Sequence, residues 1–231
     1  MIDFSSLTYN FDLPIMQVLQ GSDSLFWDRF ILVLTSAATW IPFYLALIYL
    51  VIRNNETVKQ TALVVGFAIF TVALSDCVVD ILVKPWFMRY RPSNDPILRY
   101  TIDIVSGHRG GAYGFFSAHA SNTMSVALFF CMVVKSRLLS TALIIWSLVN
   151  CYTRIYLGLH YPSDVLVGIV WGCVVAFISY GTYNCIKKRI AIKANYISNQ
   201  YTTEGYSYQD IYLVLTVMVV ILFYALFRSV I

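Results

Sequence analysis

The sequence is poor in charge. Asp, Glu, Lys and Arg make up 12% of its 231 residues, against about 25% in an ordinary soluble domain. Glutamate occurs twice, at Glu56 and Glu204, and histidine three times. A water-facing surface cannot be built from so few charges, so most of the surface faces something else. The net charge of +4 is mild, which argues against a nucleic-acid partner. Many basic residues stand at the ends of apolar segments, as near phospholipid head groups. The five cysteines are Cys77, Cys131, Cys151, Cys173 and Cys185, with no CxxC pair. All lie in or at the end of apolar runs, so they read as small buried packing residues rather than disulfides or metal ligands. No HxH, HExxH or carboxylate cluster marks a metal site, and neither a metal nor another cofactor is expected. Residues 1–25 lack a basic start and carry Asp3, Asp12 and Asp23, so no cleavable signal peptide is expected.

Long apolar runs are what the chain does have, at 59% hydrophobic residues. A spanning helix needs about 20 mostly apolar residues to cross roughly 30 Å of hydrocarbon. Six stretches approach or meet this: Phe30–Ile52, Thr61–Val83, Phe116–Val134, Leu138–Tyr156, Pro162–Cys185 and Ile211–Phe227. Backbone groups in lipid must be bonded internally, so these runs are helices. The expected fold is all-α: an integral membrane bundle of six transmembrane helices. Phe11, Leu13, Ile15, Met16, Val18 and Leu19 can form one face of a short N-terminal interfacial helix. No repeat or linker divides the chain, which reads as one domain over residues 1–231.

Basic residues set the orientation. Eight lie on each side of the six-span arrangement: 53, 59, 135, 137, 187, 188, 189 and 193 on one, and 29, 84, 89, 91, 99, 109, 154 and 228 on the other. Three of the second set have chemical work to do, as argued next. That leaves the first set in excess and places it in the cytoplasm. Both termini then lie outside, or in the periplasm of a multi-pass inner-membrane protein.

Three clusters fall on that outer side. They are Lys84-Pro-Trp-Phe-Met-Arg-Tyr-Arg91-Pro92, then Phe116-Ser117-Ala118-His119, then Arg154-Ile-Tyr-Leu-Gly-Leu-His160-Tyr-Pro-Ser-Asp164. The guanidinium forks of Arg91 and Arg154 suit phosphate oxygens, and Lys84 adds a point charge. Ser117 stands where a helix N-cap would, and a helix N-terminus favours a bound phosphate. One imidazole can attack phosphorus while the other protonates the leaving oxygen. Asp164, four residues after His160, can bond the distal ring nitrogen and fix the tautomer.

These clusters resemble the type-2 phosphatidic-acid phosphatase family, membrane lipid phosphatases related to vanadium haloperoxidases. The family reads Lys-x6-Arg-Pro, then Pro-Ser-Gly-His, then Ser-Arg-x5-His-x3-Asp. This sequence has Lys84-x6-Arg91-Pro92, Phe116-Ser117-Ala118-His119 and Thr153-Arg154-x5-His160-x3-Asp164. The resemblance implies His160 as nucleophile, His119 as general acid and Asp164 as orienter. It implies phosphate binding at Lys84, Arg91, Ser117, Ala118 and Arg154, in a six-helix bundle that needs no metal. The implied activity is removal of a phosphate or diphosphate from a membrane lipid through a phosphohistidine. Undecaprenyl diphosphate, lipid A and phosphatidate-type lipids are the candidate substrates. Phe116, Ala118 and Thr153 depart from the pattern. Ala118 stands where glycine lets backbone approach the phosphate, and alanine serves there if its φ is negative.

Two other readings remain open at this stage. A phosphotransferase would use the same phosphohistidine and pass the phosphate to an alcohol or lipid. A transporter would explain the helices and the intramembrane Asp76 and Asp80 but not the ordered clusters. Asp80 stands four residues before Lys84, a spacing that allows an ion pair orienting the lysine or a structural polar contact. His108 lies outside the clusters and reads as a solvent or head-group contact.

Overall fold

The computed structural model describes residues 4–102, 105–107, 110–190 and 199–231. His108, Arg109 and Lys193 lie outside them. Among the described residues the protein is helical, with two isolated bridges, Tyr90 to Tyr113 and Tyr201 to Ser207, as its β pairing. Residues 5–19 form a helical segment, α1. The others are α2 (Leu25–Thr35), α3 (Ile41–Arg53), α4 (Val58–Phe87), α5 (Ala118–Val134), α6 (Arg137–Tyr156), α7 (Pro162–Ile190) and α8 (Tyr208–Val230). Of these, α4, α6, α7 and α8 are long and apolar enough to cross a membrane.

The expected first span, Phe30–Ile52, is not one helix. It breaks between α2 and α3, whose axes are bent by 63°. Ser36 takes an extended conformation, and Pro42 sits in the first turn of α3 without an N–H to donate backwards. The carbonyls released at the break find other donors. Thr39 Oγ1 donates to Val33 O at 2.7 Å, and Trp40 Nε1 to Leu34 O at 2.8 Å. Arg154 Nη2 donates to Thr35 O at 3.1 Å. Counted as one broken span, the pair brings the candidate crossings to five.

The expected third span also falls short. Its helix, α5, has 17 residues, about 26 Å at 1.5 Å per residue. The Ser117 hydroxyl caps its start, accepting from Ala120 N–H, and Lys135 with φ of 54° ends it. Most of α5 is buried, because α4, α6 and α7 pack around it. At the α5–α7 crossing, a Cβ on Gly168 would stand 2.6 Å from Ser117 O, and one on Gly172 would stand 2.6 Å from Ser121 O. This is the small-xxx-small spacing by which helices approach closely in lipid, where apolar burial alone does not drive association. Polar pairs join α4 to α5: Ser75 Oγ to Ser121 Oγ at 2.5 Å, and Asn122 Nδ2 to Asp76 Oδ1 at 2.8 Å. Asp76 is thus a structural contact within the bundle. On the other side, Phe43, Leu47 and Leu50 of α3 meet Phe129, Trp146, Tyr183 and Ile211 in the main apolar core.

Helix α1 keeps Phe11 and Val18 of its apolar set exposed, while Met16 of that set turns inward. Its buried stripe is Thr8, Asp12 and Met16, which a spacing of four puts on one side of the helix. One expectation needs correction: of the five cysteines only Cys151 is buried, while Cys77 and Cys185 are exposed. They lie on the outer faces of α4 and α7, where an apolar run meets lipid as readily as protein.

Candidate active site

Backbone hydrogen bonds tie the three clusters together. The chain leaves α4 at Met88, which takes a left-handed φ of 45°. It then pairs with the segment before α5: Arg91 N–H donates to Ala112 O at 3.1 Å, and Gly114 N–H to Arg89 O at 2.8 Å. This clip carries Arg91 to the N-terminus of α5. Ser93 N–H donates to Gly158 O at 3.2 Å, and Ser117 N–H to Asp164 O at 3.0 Å, which joins both clusters to the third. The third cluster folds over the end of α6. Gly158, at φ of 64°, supplies the left-handed residue that commonly reverses a chain after a helix. Leu159 and His160 N–H both turn back to Arg154 O, at 3.0 and 3.3 Å.

The side chains converge around His160, which is 3% exposed. Arg91 Nη1 lies 2.9 Å from His160 Nε2 and 3.1 Å from Leu159 O. A guanidinium only donates, so Nε2 must accept, and the ring proton belongs on Nδ1. That nitrogen faces Asp164 Oδ2 at 3.7 Å, beyond hydrogen-bond length, and among the described residues it has no side-chain partner, the Gly114 backbone being its other polar neighbour. Asp164 is fully buried in the first turn of α7, where Oδ2 accepts Tyr161 N–H at 3.2 Å. The same oxygen thus caps a helix and faces a histidine.

Lys84 pairs with Asp80 one turn earlier. Arg154 is 6% exposed and bonded to the Thr35 carbonyl, and its Nε has no partner among the described residues. Among the described residues, neither Arg91 nor Arg154 makes a salt bridge. His119 is exposed at the start of α5, within electrostatic reach of Arg154, His160, Arg91 and Lys84. Ser117 is fully buried, and its hydroxyl is used in capping. Ala118 is the first helical residue of α5 and has no positive φ, so alanine fits where the family pattern has glycine. Phe116 packs with Val79, Ala118 and Trp171. Thr153 keeps its hydroxyl for a 3.0 Å contact with Thr35 Oγ1.

The structure therefore brings Lys84, Arg91, Ser117, Ala118, His119, Arg154, His160 and Asp164 into one region. It adds residues that the sequence did not single out: Arg89 and Asp12 behind Asp164, Thr35 behind Arg154, and Gly168 and Gly172 beneath Ser117. The glycine pair had a readable signal, a G-x-x-x-G in an apolar run. Arg89 stood two residues from Arg91, but its partner Asp12 is 77 residues away.

Burial, and then the charges of Arg91, Arg154 and Lys84, hold the His160 imidazole well below the usual range. Its Nε2 lone pair is therefore unprotonated at neutral pH, as a nucleophile requires. Linkage runs the same way. Below about pH 6.5 the unfolded chain binds this proton and the folded one does not, so the group costs stability as pH falls.

The sequence pattern of the PAP2 superfamily matches residues 64–188, which include all three clusters. The chain belongs to the PAP2 superfamily. Among similar proteins is the lipid A 4'-phosphatase of Bacteroides thetaiotaomicron, 35% identical over 78% of this chain and 79% of that one. The lipid A 4'-phosphatase of Porphyromonas gingivalis is 31% identical over 74% of this chain and 72% of its own. The undecaprenyl-diphosphatase of Bacillus subtilis is 22% identical over 61% of this chain and 67% of its own. No solved structure matches the chain.

Proposed function

We propose that this protein is a membrane lipid phosphatase that removes a phosphate from a lipid A-type glycolipid by way of a phosphohistidine at His160. One observation carries the reading. Two guanidinium groups without a carboxylate partner among the described residues, Arg91 and Arg154, stand beside a buried neutral imidazole whose Nε2 accepts a hydrogen bond. A buried, positively charged setting around a nucleophile has a bound phosphoryl group as its natural complement. Lys84, Ser117 and the first-turn N–H groups at Ala118 and His119 complete the cradle.

The chemistry follows in two steps. Phosphate draws Arg91 off Nε2 onto its own oxygens, which frees the lone pair. Nε2 attacks phosphorus, the P–O bond to the lipid breaks, and His119 gives its proton to the departing oxygen. The phosphate dianion supplies the negative charge that a protonated His119 needs beside Lys84, Arg91 and Arg154. Asp164 stabilises the charge that develops on the ring. Water, giving a proton to His119, then attacks phosphorus; the P–N bond breaks with its electron pair returning to Nε2, and inorganic phosphate leaves. No metal takes part in this scheme. The names of the two relatives that match over more than 70% of both chains favour lipid A among the candidate substrates, and the Bacillus relative makes undecaprenyl diphosphate the second.

Purified protein in detergent with excess EDTA should release inorganic phosphate from lipid A, faster than from undecaprenyl diphosphate or phosphatidate by about tenfold or more, the scale of an ordinary specificity difference. A need for a divalent ion would overturn the metal-free scheme. Phosphate found only on an added alcohol or lipid would show a phosphotransferase instead.

The bundle is read as one domain with six crossings of the inner membrane, α2–α3 as a broken span, α5 as a short enclosed one and α1 at the interface. The site lies at the ends of helices away from Lys135, Arg137 and Lys187, which face the cytoplasm under the positive-inside rule. A cysteine at Asn94 should then react with an impermeant thiol reagent from outside, and one at Asn55 should not. Reversed labelling would sink this orientation.

A further inference from the structure

Behind the His160–Asp164 pair lies a buried set of groups that phosphate binding does not use. Arg89 is 5% exposed, and Asp12 and Asp164 are fully buried. Arg89 Nη1 donates to Asp164 Oδ1 at 2.6 Å and to Ser163 Oγ at 2.8 Å. Its Nη2 donates to Asp12 Oδ2 at 2.6 Å and to Thr8 Oγ1 at 2.8 Å. Asp12 also accepts from the N–H and the hydroxyl of Ser163, both at 2.8 Å. The guanidinium carbon lies 4.2 Å from the centre of the Tyr161 ring and 4.9 Å from that of Phe4. Two carboxylates, 152 residues apart, thus share one cation in a dry place.

Stability alone is a weak reason for such a cluster, since apolar residues of similar volume commonly serve the fold as well or better. Orientation is a stronger one. Arg89 grips Oδ1 of Asp164 and leaves Oδ2 for the Tyr161 N–H and for His160 Nδ1. Charge is another. Arg89 with Asp164 alone would be neutral and could do little for a ring that gains positive charge as Nε2 attacks. Asp12 leaves the group of three with a net charge of −1.

We propose that Arg89 and Asp12 are positioning residues that act through Asp164 on His160, so that helix α1 is part of the catalytic unit. The proposal rests on the phosphohistidine reading of His160. It predicts that Asp12→Asn and Arg89→Met each lower kcat by about 10- to 100-fold while KM stays within about twofold, the signature of a contribution made mainly in the transition state. In an Asp164→Asn background each should lower kcat by less than about threefold more, because residues acting through a shared partner are not additive. Thr8→Val removes one acceptor from Arg89 and leaves every charge in place. It should show the same pattern with a loss of about three- to tenfold, and it stands in if the buried-charge variants do not accumulate.

The measurement is steady-state kinetics of the full-length protein in detergent, with the yield of folded protein recorded for each variant. Equal losses with and without Asp164, a change confined to KM, or an unchanged kcat would overturn the proposal. If Asp164→Asn itself left kcat unchanged, the phosphohistidine reading would fail first, and the two failures are thereby distinguishable.

Discussion

His160→Ala is expected to abolish turnover of every phosphate ester, whereas His119→Ala should regain much of its rate when the leaving group is acidic. The two imidazoles occupy different settings. His160 is buried, and Arg91 fixes its Nε2 as an acceptor. His119 is exposed at the mouth of the site, on the first turn of α5. Deleting the nucleophile leaves no atom to take the phosphoryl group, and no choice of substrate restores one. Deleting the general acid removes a proton delivery worth about 10² to 10⁴ in rate. That contribution matters when a lipid alkoxide must depart and matters little when a nitrophenolate departs. On a lipid phosphate both variants should be severely impaired. On an activated aryl phosphate His119→Ala should recover to within about tenfold of the native rate, the remainder reflecting its share in the return step with water. His160→Ala should stay at background, and acid quenching should trap no phosphoprotein. The opposite pattern, with His160→Ala rescued and His119→Ala not, would exchange the two roles.

How far the sequence could be read depended on the distance over which each feature is encoded. The three clusters were legible because their spacings are local: six residues between Lys84 and Arg91, five between Arg154 and His160, three between His160 and Asp164. Helical hydropathy gave α4, α6, α7 and α8 close to their observed ends. The Asp80–Lys84 pair was legible from a spacing of four. The break between α2 and α3 was not read, although Pro42 marked it. An apolar run looks continuous to hydropathy even where Ser36 and Pro42 interrupt the backbone ladder. The start of α5 was legible, since Ser117 is the N-cap its sequence suggested, but Phe116 lies outside that cap and the helix left is only 17 residues long. Least legible was the role of α1. Its exposed apolar residues suggested a surface helix, while the residue that anchors it is Asp12. A carboxylate at that position has no local explanation. It makes sense only once Arg89 and Ser163, far along the chain, are folded against it. The same holds for Thr35, whose carbonyl is free for Arg154 only because the helix breaks there.

Arg154→Met should make the protein more stable and nearly inactive at once. Arg154 is a buried guanidinium with one hydrogen bond, to Thr35 O, and no carboxylate partner among the described residues. Moving such a cation out of water costs several kcal/mol, and it is repaid only with good partners. The Thr35 contact returns about 1 kcal/mol. Methionine has a similar length and no charge, so the exchange removes the desolvation cost, less that one contact. A net gain of about 1–3 kcal/mol follows, or a rise of roughly 2–12 °C in melting temperature for a chain of this size. Function should move the other way. Loss of one preorganised donor to a developing phosphoryl charge costs about 10² to 10³ in kcat. Ligand linkage separates the two effects. Inorganic phosphate should raise the melting temperature of the native protein, because only the folded state holds the anion site. It should raise that of Arg154→Met far less. Thermal unfolding in detergent, with and without phosphate, alongside turnover of the lipid substrate, is the test. A variant that melts lower than the native protein, or that gains as much from phosphate, would mean that Arg154 is held by partners of its own and is not waiting for an anion.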